Sequence, residues 1–269
     1  MKGFIAVFVL AVAVSVVGAP VVSAYEEAPV ADGGTISGKV MFKGAVPAPK
    51  TFVFAKFPNA GFCEKADSDG KGNRVVQQVN VKGGALADVV VYIEEIEKGK
   101  PFKFDGTDVK TDLCRFLVEG GPSKLTGVVV KKAEFRVLNN DADPTDPKAA
   151  TGVLHNPHGY EISGASSSTI FNLPLPEKGQ MIKKPMVLRK KESTVKIECD
   201  QHNYMQVFFQ PVANPYYAIV GEDGTFTIDG IPPGSYEVHA FHPILGLQEA
   251  TVTVAAKGKA TADFAFAAK

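Results

Sequence analysis

The sequence lacks the short motifs that mark several large classes of enzyme. It contains no Gly-x-Ser-x-Gly of the serine hydrolases, no phosphate-binding P-loop and no Cys-x-x-Cys-His haem attachment motif. It also has no excess of charge of either sign, since 29 basic residues balance 29 acidic ones. A near-neutral chain gives no general argument for binding nucleic acid or an anionic membrane. We therefore predict no nucleic-acid partner.

Long hydrophobic stretches are missing after the first 24 residues. The single long apolar run, residues 4–17, follows Lys2 and precedes the small residues Val22-Ser23-Ala24. This is the pattern of a secretory signal peptide, and we predict cleavage after Ala24. The mature chain would have no membrane span. It would keep 28 basic and 29 acidic residues and lie in the periplasm or outside the cell.

Cysteine is scarce, with residues only at positions 63, 114 and 199. Exported proteins retain disulfides, and an odd count leaves one thiol over. The economical arrangement is a Cys63–Cys114 bridge, with Cys199 free to bind a metal. The alternative, in which Cys63 and Cys114 are both reduced and buried, stays open at this point.

Helical periodicity is also scarce, whereas alternation of apolar and polar residues recurs along the chain. Such a period of two is typical of half-buried strands. It predicts an all-β protein of sandwich type. The predicted strand segments, some alternating and some β-branched runs, are residues 35–42, 89–93, 128–130, 135–138, 195–199 and 205–209, followed by 217–220, 225–228, 235–240, 248–255 and 261–266.

One short segment concentrates the ligands that a transition metal prefers. Cys199, His202 and Met205 lie within seven residues, and His155 or His158 upstream can supply a second imidazole. Two histidines, one cysteine and a weak methionine are the ligand set of a blue-copper site. Of the two upstream residues, we interpret His158 as a partly exposed surface residue.

Two further histidines, His239 and His242, lie in the C-terminal strands. Three residues apart on a strand, they would face opposite sides of the sheet. We interpret both as structural residues, with a second metal site as the less favoured alternative.

Residues 108–212 resemble the cupredoxins, and in particular the amicyanin-like and plastocyanin-like blue copper domains. The segment from Val128 to Asp141 resembles the strand pair that leads into the first histidine loop. The segment Leu154–His158 resembles the His-Asn-x-His loop, and Cys199–Met205 has the spacing of the short ligand loop. Asn203 and Tyr204 stand where such loops usually carry proline and an aromatic residue.

The resemblance implies a type-1-like site for one copper ion. His155, Cys199 and His202 would form the trigonal plane, and Met205 would be the long axial ligand. Asn156 would tie the two ligand loops together through backbone hydrogen bonds. The exposed edge of His202 would be the exit for electrons.

The C-terminal segment resembles the carboxypeptidase regulatory-like (transthyretin-like) sandwich. The matching residues are Asp223–Phe226 and Ile231–Val238, with opening strands at Ser37–Val40 and Ala85–Ile93. We therefore predict a cupredoxin-like Greek-key sandwich, residues 108–212, inserted into a transthyretin-like sandwich. The predicted ranges are 1–24 for the signal peptide, 25–34 for a flexible leader, 35–107 and 213–269 for the transthyretin-like sandwich.

These features predict a carrier of single electrons between periplasmic redox partners, such as a cytochrome or a dehydrogenase. Four protein ligands leave no open position for a substrate, so we predict that the chain is not an enzyme. Two alternatives are a copper carrier or chaperone and a metal-free structural or adhesive module of the cell envelope.

Overall fold

The computed structural model describes residues 25–268, and nearly all of its regular structure is β-strand. The predicted all-β sandwich fold is confirmed. The predicted signal peptide lies outside the described residues. Between residues 25 and 268, no helix is both long and apolar enough to cross a membrane.

In chain order, the strands are β1 (Glu26–Glu27), β2 (Gly34–Lys43), β3 (Lys50–Val53), β4 (Asn73–Val76), β5 (Val81–Lys82), β6 (Ala85–Leu86), β7 (Val90–Ile93), β8 (Lys98–Gly99), β9 (Thr107–Thr111), β10 (Phe116–Val118), β11 (Thr126–Val129), β12 (Glu134–Leu138), β13 (Pro157–Ser163), β14 (Ser166–Asn172), β15 (Met181–Pro185), β16 (Thr194–Cys199), β17 (Gln206–Pro211), β18 (Tyr217–Ile219), β19 (Thr225–Ile231), β20 (Gly234–His242), β21 (Gly246–Val254), β22 (Lys259–Thr261) and β23 (Phe264–Ala267). A 3-10 helix spans Phe54–Lys56, and α1 spans Ala60–Cys63.

The strands from β9 to β17 form a first sandwich, called sandwich I. Its sheets have the orders β10-β9-β12-β15 and β11-β17-β16-β13-β14. Alternate residues of these strands are buried, as on β12, because each sheet has one face on the core. The ring of Phe135 lies 5.1 Å from that of Phe209 and 6.0 Å from that of Phe171, measured between centroids. The two sheets therefore meet across an aromatic core.

A second sandwich, called sandwich II, combines strands from both ends of the described chain. One sheet has the order β18-β7-β20-β21, and the other has the order β19-β2-β6-β5, with β22 and β23 also paired to β2. The strands of sandwich I lie between these two groups in sequence. The predicted domain boundaries at residues 107/108 and 212/213 stay a prediction.

A segment from the N-terminal part packs on sandwich I and not on sandwich II. It comprises residues 50–76 and is called the cover segment. Its Phe54, Phe62 and Cys63 belong to the buried core of sandwich I. Cys63 and Cys114 form a disulfide, with sulfurs 2.06 Å apart, and Cys199 is the free cysteine of the described chain. The pairing that the odd cysteine count favours is confirmed.

Residues 25–34, for which the sequence predicts a flexible leader, are held against the rest of the molecule. β1 pairs in parallel with β8, and the hydroxyl of Tyr25 donates a hydrogen bond to the carbonyl of Lys100. The ring of Tyr25 also packs edge-on against Tyr216, at 6.4 Å between centroids. The aromatic side chain and the strand pairing explain why this polar stretch is ordered.

The strand β2 requires a glycine where its backbone closely approaches the backbone of Ala262. A Cβ built on Gly38 would lie 1.7 Å from the carbonyl oxygen of Ala262, which is far inside van der Waals contact. We predict that Gly38→Ala lowers the free energy of unfolding by about 1–3 kcal/mol. Gly61→Ala is the matched control, because beyond its chain neighbours and its own helix no described residue lies within 4 Å of the equivalent Cβ. Urea unfolding of both variants measures the difference, and equal stabilities would contradict the prediction.

Candidate metal centre

The two loops that carry the predicted ligands meet at one end of sandwich I. Cys199 ends β16, and Pro157 at the start of β13 is its partner in register. His155 precedes Pro157 by two residues, and its side chain can therefore reach the thiol of Cys199. The Sγ of Cys199 lies 3.9 Å from Nδ1 of His155 and 3.7 Å from Nδ1 of His202. All three side chains are fully buried.

These separations agree with the size of a first-row metal ion. An ion about 2.3 Å from a thiolate sulfur and about 2.05 Å from each nitrogen, with angles of about 120°, separates sulfur and nitrogen by about 3.8 Å. Sγ and one ring nitrogen of each histidine all lie within 4.8 Å of one another. The three donors can therefore hold one ion without a change in backbone geometry.

The orientation of His155 is set by a buried carboxylate. Its Nε2 lies 2.9 Å from Oδ2 of Asp141, and the Asp141 carboxylate also accepts the backbone N–H groups of Leu113 and Cys114. Burial alone would raise the pKa of Asp141, but the hydrogen bond from His155 and these N–H groups outweigh burial and lower it. An ionised Asp141 accepts a hydrogen bond from the Nε2–H group, so the Nδ1 lone pair faces Cys199.

The orientation of His202 is set by the cover segment. Its Nε2 donates to the carbonyl oxygen of Pro58 at 3.1 Å. A carbonyl can only accept, so Nε2 carries the proton and Nδ1 is free for a metal. Burial, followed by the charges of its neighbours, lowers the pKa of His202 to about 4. The imidazole is therefore neutral at pH 7.

The predicted exposed edge of His202 is wrong, because this residue has no solvent exposure. The resemblance implied that the histidine loop lies at an end of the sandwich that is open to solvent. The structure places the carbonyl of Pro58, in the cover segment, against the Nε2 edge of the ring. A segment distant in sequence therefore closes the end at which the histidine would otherwise meet solvent.

The thiol of Cys199 is surrounded by backbone donors. The N–H of Asn156 donates to its Sγ at 3.3 Å, and the N–H of Asp200 donates to the carbonyl of Asn156 at 3.0 Å. Asn156 ties the two ligand loops together, as predicted. Burial, only partly offset by these N–H groups, raises the pKa of Cys199 to about 11. A metal must therefore displace a proton from this thiol when it binds.

Met205, the predicted axial ligand, is buried beside the same loop. Its backbone N–H donates to the carbonyl of His202 at 2.8 Å, and its carbonyl accepts from the N–H of Cys199 at 3.2 Å. The turn from residue 199 to residue 205 is thereby closed on itself. These bonds place the main chain of Met205 next to both ligands.

His158 lies outside this group, as the sequence interpretation expects. Its ring stacks on Tyr160 at 3.9 Å, and its Nε2 lies 2.9 Å from Oγ1 of Thr169. Its Nδ1 is 3.1 Å from Oδ1 of Asp200. His158 therefore belongs to a polar network on the partly exposed face of β13.

Tyr204 fills the space between the ligand loop and the cover segment. Its ring lies 4.9 Å from Phe57 and 5.8 Å from Phe52, measured between centroids. The guanidinium of Arg74 lies 4.7 Å from the same ring. The loop has no proline at Asn203 or Tyr204 to restrict its backbone. The packing around Tyr204 restricts the loop instead.

The buried Arg74 fastens the cover segment. It donates hydrogen bonds to the backbone carbonyls of Cys63, Leu113 and Cys114, at 2.9–3.2 Å. The first of these residues lies in the cover segment and the other two lie in the β9–β10 loop. Arg74, Pro58 and Asp141 were not predicted as supports of the site, because no sequence motif links them to the ligands.

Two solved structures are distantly similar to this chain. No protein-family model and no curated protein matches this chain. A copper-containing nitrite reductase from Thermus scotoductus SA-01 is 11% identical with a TM-score of 0.30, over 45% of this chain and 25% of that one. A mutant amicyanin in its reduced Cu(I) form at pH 4 is 13% identical with a TM-score of 0.25, over 41% of this chain and 85% of that one.

The chain thus spans about a quarter of the nitrite reductase. At these identities and TM-scores, neither likeness establishes a function. Both proteins are copper proteins by their descriptions. Neither of them is a carboxypeptidase regulatory-like domain, so that resemblance stays a prediction.

The buried histidines predict a loss of stability in acid for the metal-free protein. Burial lowers the pKa values of His202 and His242 to about 4, whereas an unfolded histidine titrates near 6.5. Between these values the unfolded chain binds more protons, so the free energy of unfolding falls as the pH falls. Each imidazole contributes about 1.4 kcal/mol per pH unit.

Urea unfolding between pH 6.5 and pH 4.5 measures this slope. The variant His242→Asn keeps an acceptor for the N–H groups of Ile244 and Leu245, which bond to Nδ1 of His242. It should show about half the pH slope of the wild type. A stability that does not change over this range would contradict the assignment of both histidines as neutral in the folded protein.

Proposed function

We propose that this chain is an exported copper protein that transfers single electrons. The observation that supports it best is the convergence of one thiol and two Nδ1 atoms at 3.7–3.9 Å, with each imidazole already held through its Nε2. His155, Cys199 and His202 would hold the ion, and Met205 would be the weak fourth ligand. A bound copper ion would supply one-electron exchange between Cu(I) and Cu(II).

Rigid supports favour electron transfer over metal delivery. Asp141 and Pro58 hold the two imidazoles through their Nε2 atoms, and the backbone N–H of Asn156 holds the sulfur. Ligands that keep one geometry in both oxidation states have little to rearrange when the charge changes. A carrier needs a site from which metal leaves readily, whereas all three donors here are fully buried. The carrier remains the second candidate function.

The partner proposed is a redox protein of the same compartment, such as a periplasmic cytochrome or dehydrogenase. Since His202 bonds to Pro58, that partner would dock on the cover segment, where Phe57 is half-buried. A site with four protein ligands offers no position for substrate, so we propose electron transfer without catalysis.

Loading with Cu(II) tests the copper site directly. We expect an intense visible absorption band from thiolate-to-copper charge transfer and a stoichiometry of one ion per chain. The variant Cys199→Ser should lose the band, because the thiolate is its electron donor, while the control His158→Gln, outside the donor group, should keep it. Copper that binds without colour, or colour that survives Cys199→Ser, would contradict the proposal.

The cover segment predicts that copper exchanges slowly. Removing the bridge with the double variant Cys63→Ser and Cys114→Ser should loosen the segment over His202 and speed the loss of copper to a chelator. The closed loop spans a sequence separation of 51 residues, so the bridge contributes at most about 4 kcal/mol to stability. The measurement is the decay of the visible band after addition of a strong chelator.

Gly38→Ala is the matched control for this experiment. It is expected to destabilise sandwich II without touching the cover segment. If both variants lose copper at the same rate, global unfolding and not the cover segment controls access. If neither differs from the wild type, the segment does not limit exchange.

A further inference from the structure

A second group of metal-binding side chains lies on the outer face of sandwich II. Glu237 and His239 lie two residues apart on β20, and Glu249 of β21 is the direct cross-strand partner of His239. Residues two apart on a strand, and residues directly opposite across an antiparallel pair, project from the same face. This group of three is called the Glu-His-Glu cluster.

The imidazole of His239 is buried but incompletely satisfied. Its side chain is 6% exposed, and its Nε2 has no hydrogen-bond partner among the described residues. That nitrogen lies 3.4 Å from Oε1 of Glu237 and 3.9 Å from Oε1 of Glu249. A buried polar atom without a partner is costly. Both nearby oxygens face it at separations too long or too poorly aligned for hydrogen bonds.

The other ring nitrogen already has partners. Nδ1 of His239 lies 3.3 Å from Oε2 of Glu94 and 3.3 Å from the hydroxyl oxygen of Tyr92. A carboxylate on one ring nitrogen is the usual arrangement for a histidine that binds metal through the other nitrogen. With the proton on Nδ1, beside the Glu94 carboxylate, Nε2 presents a lone pair toward Glu237 and Glu249.

The local charge favours a cation. Within the described residues, no lysine or arginine forms an ion pair with Glu94, Glu237 or Glu249. Their salt-bridge contacts are to His239 alone. Burial, together with the charges of Glu94, Glu249 and Glu192, raises the pKa of Tyr92 beside them. Three carboxylates thus surround one imidazole with no basic side chain paired to them in the part of the chain that the structure describes.

We propose that Glu237, His239 and Glu249 bind a divalent first-row cation of the zinc class, independently of the copper site. The three donor atoms lie within 4.8 Å of one another. An ion about 2.1 Å from each donor in tetrahedral geometry separates nitrogen and oxygen by about 3.4 Å, close to the distances seen. The carboxylates are 51–62% exposed, so the ion would reach its site from solvent and keep at least one water ligand.

Cobalt(II) is the probe that separates the two sites, because it substitutes for zinc and has a visible spectrum. At the Cys199 site it gives a strong near-ultraviolet thiolate band. At the Glu-His-Glu cluster it gives only weak visible d–d absorption. We expect Cys199→Ser to remove the thiolate band and to retain one equivalent of Co(II), displaced by Zn(II) and accompanied by a rise in the thermal unfolding temperature.

In that same background, Glu249→Gln and Glu237→Gln should each weaken binding by more than tenfold. Glu94→Gln, which removes the negative charge beside Nδ1, should weaken it by about tenfold. All three side chains are at least 38% exposed, so the variants are expected to fold. Glu97→Gln is the matched control, since Glu97 is also an exposed glutamate on the same connection as Glu94.

Two results would overturn the proposal. One is a Cys199→Ser protein that binds no Co(II) and shows no thermal shift with Zn(II), which would mean that His239 serves only as a charge partner of the glutamates. The other is binding that Glu237→Gln and Glu249→Gln leave as strong as Glu97→Gln does.

Discussion

The candidate metal site depends on two hydrogen bonds, made by the histidine ring nitrogens that face away from the pocket. A histidine can present either nitrogen, and an unsupported imidazole samples both tautomers and several ring angles. In this chain Asp141 accepts a hydrogen bond from Nε2 of His155, and the carbonyl of Pro58 accepts one from Nε2 of His202. As a result, both Nδ1 lone pairs point toward the thiol of Cys199. The pocket is therefore formed by hydrogen bonds made outside it.

These two supports come from different parts of the chain, and this explains the architecture around the site. Asp141 follows β12 within sandwich I, whereas Pro58 lies in the cover segment. The cover segment stays in place through the Cys63–Cys114 bridge and through Arg74, whose guanidinium joins three backbone carbonyls. A disulfide and a buried cation next to a metal pocket thus have a structural role, because they hold the acceptor of His202.

The sequence predicted the strands and ligand loops better than their surroundings. Alternating segments such as residues 195–199 and 135–138 become β16 and β12, because alternation reports directly which face is buried. The Asp223-Gly224 pair marks a turn, since Gly224 has a φ of 69°. The Cys-x-x-His-x-x-Met spacing is likewise local, and so the sequence could reveal it.

Long-range contacts could not be predicted in this way. Nothing in the sequence of residues 50–76 indicates that they pack on sandwich I, because their neighbours in sequence belong to sandwich II. The prediction of an exposed His202 was wrong for that reason. The strand β13 and most of β14 were also missed. β14 is largely exposed and rich in serine, so it lacks the apolar alternation that marks a half-buried strand.

Full burial of the donors changes how a redox partner would be recognised. In the proposed function, the electron must pass through protein groups that cover the pocket and not through an exposed imidazole. The carbonyl oxygen of Pro58 lies 3.1 Å from Nε2 of His202. The ring of Tyr204 packs against His202, and the ring of Phe57 packs against Tyr204. The half-buried Phe57 and the exposed Pro58, which help to cover the pocket, would then form part of the docking surface. A single segment would thereby set both the stability of the site and the choice of partner.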